Sequence, residues 1–431
     1  MKRPTEPGAI RGTIRVAPSW GGRLAGIEGL RALAASSIVV YHTWRYSSPD
    51  GTPERFGALS RFILPSLPVG VTLFFTLSGF LLYRPFAAAT MRGGSLPDIA
   101  RYSRNRALRI LPAYWVILLM VALVLQVARV GDAGTVARYG SLAGDPGLLG
   151  RNIVLVQNYG PSTLLTGIGP TWSLAVEIAF YACLPLLALV AWRLGRRASS
   201  RKGRRLAALV PPVVLLVIGI SGKVVAAFVV PGLGPGLGWT SDWHSVLERS
   251  FLVQGDLFAF GMAIAVLRID AEDGLLRLPP WWPAVTAGMV AAIAVPTVWF
   301  GSTGRLHPYA YDTFMAFACG LVLSLVVISR RKGGRPSTAA RMLEVRPLVA
   351  IGLISYSLFL WNEPLILWLR DHGLTSEGRR GLLLNLVVVW LVVGALSTIT
   401  YRFVELPVLR RKRRMRVSEP AMPVEQAKVA P

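Results

Sequence analysis

The chain has 431 residues, 53% of them hydrophobic and only 16% charged, with a formal net charge of +25. So apolar a composition excludes a soluble globular domain, and the apolar residues fall in blocks near twenty long, the length a hydrocarbon core of ~30 Å requires of a helix. The charge does not indicate nucleic acid, because it lies in short clusters between the apolar blocks, the arrangement of cytoplasmic loops.

The sequence therefore predicts an all-α, polytopic membrane protein. Ten spans can be drawn, at about 24–44, 68–86, 107–128, 170–194, 207–230, 250–268, 280–300, 310–329, 346–369 and 381–403. Basic clusters precede the first span (Lys2, Arg3, Arg11, Arg15, Arg23) and follow the second (Arg92, Arg101, Arg104, Arg106). Further clusters occupy 196–205, 330–335 and 410–416. Only the connection after the sixth span breaks this alternation, where acidic residues in "RIDAEDGLLR" dilute the signal. Both termini are accordingly expected in the cytoplasm. The chain divides into a cytoplasmic segment (1–23), a transmembrane domain (24–407) and a basic, disordered cytoplasmic tail (408–431) on the membrane surface. Residues 1–23 lack the apolar core of a signal peptide, so no cleaved leader is expected. Cys183 and Cys319 both fall within spans, with no disulfide framework and no metal-ligand pattern. Arginine far outnumbers lysine, the usage of a GC-rich bacterial genome.

Several polar residues stand inside these spans. Arg31 and His42 are eleven positions apart in the first, so a helix carries both on one face, roughly 16 Å apart along its axis. Arg31 can be read as a snorkelling anchor and His42 as a polar residue satisfied by a neighbouring helix. Yet His42 is the only one of four histidines inside a span. An intramembrane ionisable group marks function by default, and histidine is the usual general base near neutral pH. In the second span Ser78 and Gly79 suit a close-packing notch. Arg106 and Arg109 open the third span, with Tyr114 beyond them, and forked guanidinium groups at a cytoplasmic mouth suit phosphates. Ser173 and Glu177 share a face of the fourth span beside Trp172, with Glu177 either paired to an arginine or lining a cavity. Arg249 and Asp256 are placed to pair with each other, and Arg402 with Glu405 at a helix end. Asn362 and Glu363 add two more polar groups to the ninth span.

Taken in order, these strings resemble the acyltransferase-3 family of integral membrane O-acyltransferases, of the O-antigen acetylase type. "RALAASSIVVYH" (31–42) is similar to the family's arginine–histidine signature. "FFTLSGFLL" (74–82), "RNRALRILPAYW" (104–115), "TWSLAVEIAFY" (171–181), "ISYSLFLW" (354–361) and "YRFVELP" (401–407) follow in the family's order and spacing. The resemblance covers roughly 24–407. It departs at Asn362, where the family often has histidine.

The resemblance implies ten helices in a bacterial inner (cytoplasmic) membrane and transfer of an acyl group, acetyl by default, from acyl-CoA to a hydroxyl of a sugar or glycosylated acceptor. It implies no tightly bound cofactor; acyl-CoA is a co-substrate, and the partners are the acceptor and membrane lipids, with no nucleic acid. His42 and Glu177 are then the expected catalytic residues, the carboxylate orienting the imidazole or stabilising its cation. Arg31, Arg106, Arg109, Ser173, Trp172 and Tyr114 are the expected substrate-binding residues. The rival from another class is a transporter or flippase for a glycan or metabolite, without covalent chemistry. It accounts for ten spans and buried charges, but not for the ordered strings.

Overall fold

Ten long helices stand where the ten apolar blocks lie in a computed structural model that describes residues 24–47, 56–133, 136–229, 241–328 and 336–410. They are α1 (Ile27–Tyr46), α2 (Val69–Arg92), α3 (Ile99–Leu119), α4 (Trp172–Arg197) and α5 (Arg201–Phe228). After these come α6 (Asp256–Glu272), α7 (Trp282–Ser302), α8 (Pro308–Val327), α9 (Arg346–Asp371) and α10 (Gly378–Thr400). Eight of the ten are long and apolar enough to cross a membrane. The other two are α6, which has 17 residues, and α1, whose Glu28, Arg31, His42 and Arg45 dilute its apolar character. Prolines 85, 112, 185, 211, 212, 296 and 364 lie inside helices, which membrane bundles tolerate when neighbours satisfy the freed carbonyls. The segments 1–23 and 411–431 and the basic run 330–335, each expected at the cytoplasmic surface, lie outside the described residues.

One element was not expected. The third span stops at Val124 in a π turn, and Gln126 takes a positive φ of 54° that no helix accommodates. The chain then forms an antiparallel hairpin of β1 (Ala128–Ala133) and β2 (Val136–Gly140). Arg129 also exchanges two backbone hydrogen bonds with Gly167, at 2.9 and 2.8 Å, tying the hairpin to the segment that leads into α4. Short, glycine-broken strands carry too little alternation to be read from sequence.

Two apolar cores fill the bundle. One joins α2, α4, α5, α6 and α8 around Phe75, Phe80, Phe86, Phe180 and Phe258. The other joins α1, α3, α9 and α10 around Ile38, Tyr114, Ile117 and Trp361. Small residues let the helices approach closely: a methyl group on Gly79 would overlap the Phe258 carbonyl, and one on Gly261 the Thr76 carbonyl. The expected notch at Gly79 is therefore the α2–α6 crossing.

Charge orders the face where α2, α5 and α6 meet. Asp270, Glu272 and Asp273, the acidic residues that interrupt the basic alternation, are the counter-charges of the neighbouring arginines. Arg84 reaches Glu272 at 2.6 Å, Arg92 reaches Asp273 at 2.8 Å and Arg205 reaches Asp270 at 2.7 Å, while Arg201 also bonds Asp273. The exception thus lies on the same face as the basic clusters that flank it.

Deeper in the bundle, Lys223 of α5 pairs with Asp256 of α6 at 2.6 Å, and Thr313 of α8 bonds the same carboxylate at 2.6 Å. This corrects the expected Arg249–Asp256 pair. The helical run is interrupted at Ser250, which is extended (φ −93°, ψ 161°), so the two residues share no helical face; Arg249 instead lies over the Trp172 ring, 5.1 Å from its centroid. Removing one partner from a buried pair costs about 3–5 kcal/mol, because the other charge is left uncompensated. Lys223→Met should lower the melting temperature in detergent, and adding Asp256→Leu should restore most of the loss. Unchanged melting of the single variant would remove the pair from the account of stability.

Candidate active site

Five helices leave a gap where the two cores meet. The cavity, of about 110 Å³, is lined by Arg31 of α1, Ser78 of α2, Arg106 and Arg109 of α3, Ser173 and Glu177 of α4, and Ser355 of α9, among apolar neighbours that include Phe74 and Phe359. Three guanidinium groups therefore face one carboxylate in the wall of a membrane bundle.

Each charged group is held differently. Arg31 donates from Nε and Nη2 to the Ser355 hydroxyl at 3.1 and 3.0 Å, so its head reaches along α9 instead of snorkelling to the surface. Arg109 pairs with Glu405 at 2.9 Å, and Glu405 also accepts from Ser357 at 2.6 Å. This corrects the expected Arg402–Glu405 pair: α10 continues as a π turn over Tyr401–Glu405, which turns the carboxylate inward. Arg106 makes no hydrogen bond or ion pair among the described residues, and its Nε is buried. Glu177 accepts from the Ser78 hydroxyl, with Tyr181 beside it in the cavity wall. Ser173 faces the cavity, but its hydroxyl proton goes to the Pro170 carbonyl at 2.9 Å.

His42 lies just beyond this cavity. Its Nδ1 is hydrogen-bonded to Oδ1 of Asn362, and the Asn362 amide nitrogen donates to the carbonyls of Leu358 and Phe359 at 3.1 and 2.6 Å. Those two bonds orient the amide, so the oxygen must face the ring. An amide oxygen can only accept, so Nδ1 carries the proton and Nε2 keeps its lone pair. Nε2 makes no hydrogen bond among the described residues. Tyr41 and Tyr46 flank the ring at centroid distances of 5.4 and 5.6 Å. Phe359 closes the cavity three residues before Asn362, roughly 4.5 Å along the axis of α9. Ser173 lines it four residues after Gly169, which touches the Glu363 carboxylate. Along α9 the arginine cavity is thus followed, within one turn, by the residue that holds the histidine.

The structure thus gathers Arg31, Arg106, Arg109, Ser173 and Glu177 around one space and sets His42 next to it. No hydrogen bond joins Glu177 to His42; Asn362 holds the imidazole instead. Trp172 stands behind the wall, edge-on to Phe75 at 6.3 Å, and Tyr114 is fully buried with its hydroxyl on the Asn152 carbonyl at 2.6 Å. Neither lines the cavity. Asn362 and Glu363 were visible as polar residues deep in a span, the same signal that singled out Glu177, but sequence alone does not reveal which of them His42 meets.

The acyltransferase-3 family, described as an acyltransferase domain, matches residues 24–401, and the chain belongs to it. Relatives include the O-acetyltransferase OatA of Staphylococcus aureus (23% identical over 401 residues, 90% of this chain and 57% of that protein). A putative peptidoglycan O-acetyltransferase, YrhL of Bacillus subtilis, is 25% identical over 397 residues, 89% of this chain and 55% of the relative. A putative membrane-bound transacylase, BcsY of Komagataeibacter xylinus, is 25% identical over 375 residues, 82% of this chain and 77% of the relative. The chain thus spans little more than half the length of the first two. No solved structure matches it.

The reassignment of Tyr114 is open to test. Tyr114→Phe deletes one buried hydrogen bond, worth about 1 kcal/mol, so it should lower the melting temperature slightly and leave the Michaelis constant for any acyl donor unchanged. A rise in that constant at unchanged stability would return Tyr114 to the binding site.

Proposed function

We propose that the chain is a membrane O-acyltransferase of the bacterial cytoplasmic membrane that moves an acyl group, acetyl in the first instance, from acyl-CoA to a hydroxyl of a sugar or glycosylated acceptor. The observation that carries this reading is the lining of the cavity, three guanidinium groups against one carboxylate, ending one helical turn short of a histidine with a free ring nitrogen. Family membership and the relatives' names, O-acetyltransferase and transacylase, support the same chemistry.

In this reading the phosphates of the donor dock on the arginines, whose planar forks suit them. Arg106 takes the direct contact because it has no partner to give up, while Ser355 and Glu405 hold Arg31 and Arg109 in place. Glu177 balances the arginine cluster and does not serve the histidine. The thioester then lies toward Phe359. As the acceptor oxygen attacks its carbonyl carbon, the hydroxyl proton passes to Nε2 of His42. The carbon–sulfur bond breaks as the ester forms, and the proton leaves with the thiolate. Neither Cys183 nor Cys319 lines the cavity, so no cysteine acyl-enzyme enters this reading.

Membranes containing the chain should release free thiol from acetyl-CoA, and His42→Ala should lower that rate by at least ~10²-fold, the low end for loss of a general base. Arg106→Lys keeps the charge and loses the fork. A charge-assisted hydrogen bond is worth about 1.5–3 kcal/mol, so the Michaelis constant for acetyl-CoA should rise about tenfold with little change in kcat. Thiol release no greater than in control membranes would sink the proposal and favour a transporter.

A further inference from the structure

Glu363 is a carboxylate in the outer part of the site to which the mechanism above gives no task. It is 6% exposed, and its Oε2 is buried with no hydrogen-bond partner. No ion pair reaches it among the described residues, and Arg129 acts on it only at longer range. A buried carboxylate oxygen in this state carries a standing cost, so its retention calls for a reason.

Its surroundings point to His42. On one side the turn Gly169–Thr171 presses its backbone against the carboxylate, where a methyl group on Gly169 would overlap both oxygens. On another, Tyr46 stands one turn beyond His42 on α1, near enough to feel the Glu363 charge, and its ring lies 5.6 Å from the imidazole. The preceding residue in the chain is Asn362, which holds Nδ1 of the same imidazole. Glu363 is thus linked to the surroundings of His42 by Asn362, its neighbour in the chain, and by Tyr46 beside the ring. Glu177 has no such connection, being tied to Ser78 inside the arginine cavity.

Resting on the acyltransferase reading, we infer that Glu363 is the charge partner of His42, a positioning residue that acts through Tyr46 and Asn362 to favour the imidazolium formed during transfer. Asn362 sets the tautomer but is neutral, so it cannot offset a positive ring. A fixed carboxylate in a water-poor site does so strongly, without reorganising when the charge appears. The proton count closes: the acceptor's proton moves to Nε2, the ring is cationic while Glu363 stays anionic, and the proton returns to the departing thiolate. Glu363 itself takes up no proton.

The test uses the full chain in proteoliposomes, with thiol release from acetyl-CoA normalised to the folded fraction. Glu363→Gln should lower kcat about tenfold or more while leaving the Michaelis constant for acetyl-CoA within about twofold, and Glu363→Asp should recover part of the rate. In a His42→Ala background, Glu363→Gln should cost less than about twofold further, because residues that act as a unit are not additive. Tyr46→Phe serves if Glu363→Gln does not fold; it should lower kcat severalfold at unchanged melting temperature. Wild-type kcat in Glu363→Gln, or losses that multiply in the double variant, would overturn the pairing alone, provided His42→Ala is inactive. An active His42→Ala would overturn the base assignment and the pairing with it.

Discussion

Inside a hydrocarbon layer an ionised side chain has no water to fall back on, and this fold is arranged around finding each one a partner. Lys223 is held by Asp256 and Thr313, Arg109 by Glu405, and Arg31 by Ser355; each contact also pins two or three helices to one another. Against that background the exceptions are informative. Arg106, Oε2 of Glu363 and Nε2 of His42 lack hydrogen-bond partners among the described residues. They lie in and just beyond one cavity between α3 and α9. Other buried polar atoms lack partners too, Oδ1 of Asp256 and Nε1 of Trp282 among them, but these three are set apart by lying in or beside one cavity, where a molecule from outside the chain can meet them.

The two-core architecture explains how such a line of polar atoms is tolerated. A single continuous core would have to bury them against apolar side chains. Here the Phe75–Phe180–Phe258 cluster packs on one side and the Ile38–Ile117–Leu358 cluster on the other, and the polar residues occupy the seam. Ring contacts such as Phe180 with Phe258, at 4.2 Å between centroids, make one wall of that seam stiff. The contact between α1 and α9 makes the other, since a methyl group on Gly352 would overlap the Glu28 carbonyl.

Much of this was legible in the sequence, and what was not shares one physical cause. The ten helices were readable because apolar block length is set by the bilayer, a constraint local in sequence. The common face of Arg31 and His42 followed from helical periodicity, and so did the shared wall of Ser173 and Glu177. Pairings across helices were not readable. Arg402 and Arg249 were matched with nearby Glu405 and Asp256, whereas the actual partners, Arg109 and Lys223, lie 296 and 33 positions away. Tyr114 and Trp172 sit in strings typical of the family, but a string does not say whether a ring lines a cavity or stands behind its wall. The hairpin was missed because two short strands interrupted by Gly131 carry almost no periodic signal.

The amide that holds His42 has a stereochemical consequence. Turning the imidazole over would break its bond to Asn362 and present a carbon–hydrogen edge to an amide oxygen that the Leu358 and Phe359 carbonyls keep from rotating away. The ring therefore has one way up. Because an amide does not ionise, acid or alkali acting on the anchor cannot invert it. The lone pair on Nε2 always points along the same line, and any molecule that exchanges a proton with it must come in along that line. The direction of proton exchange is thus set by a single uncharged side chain.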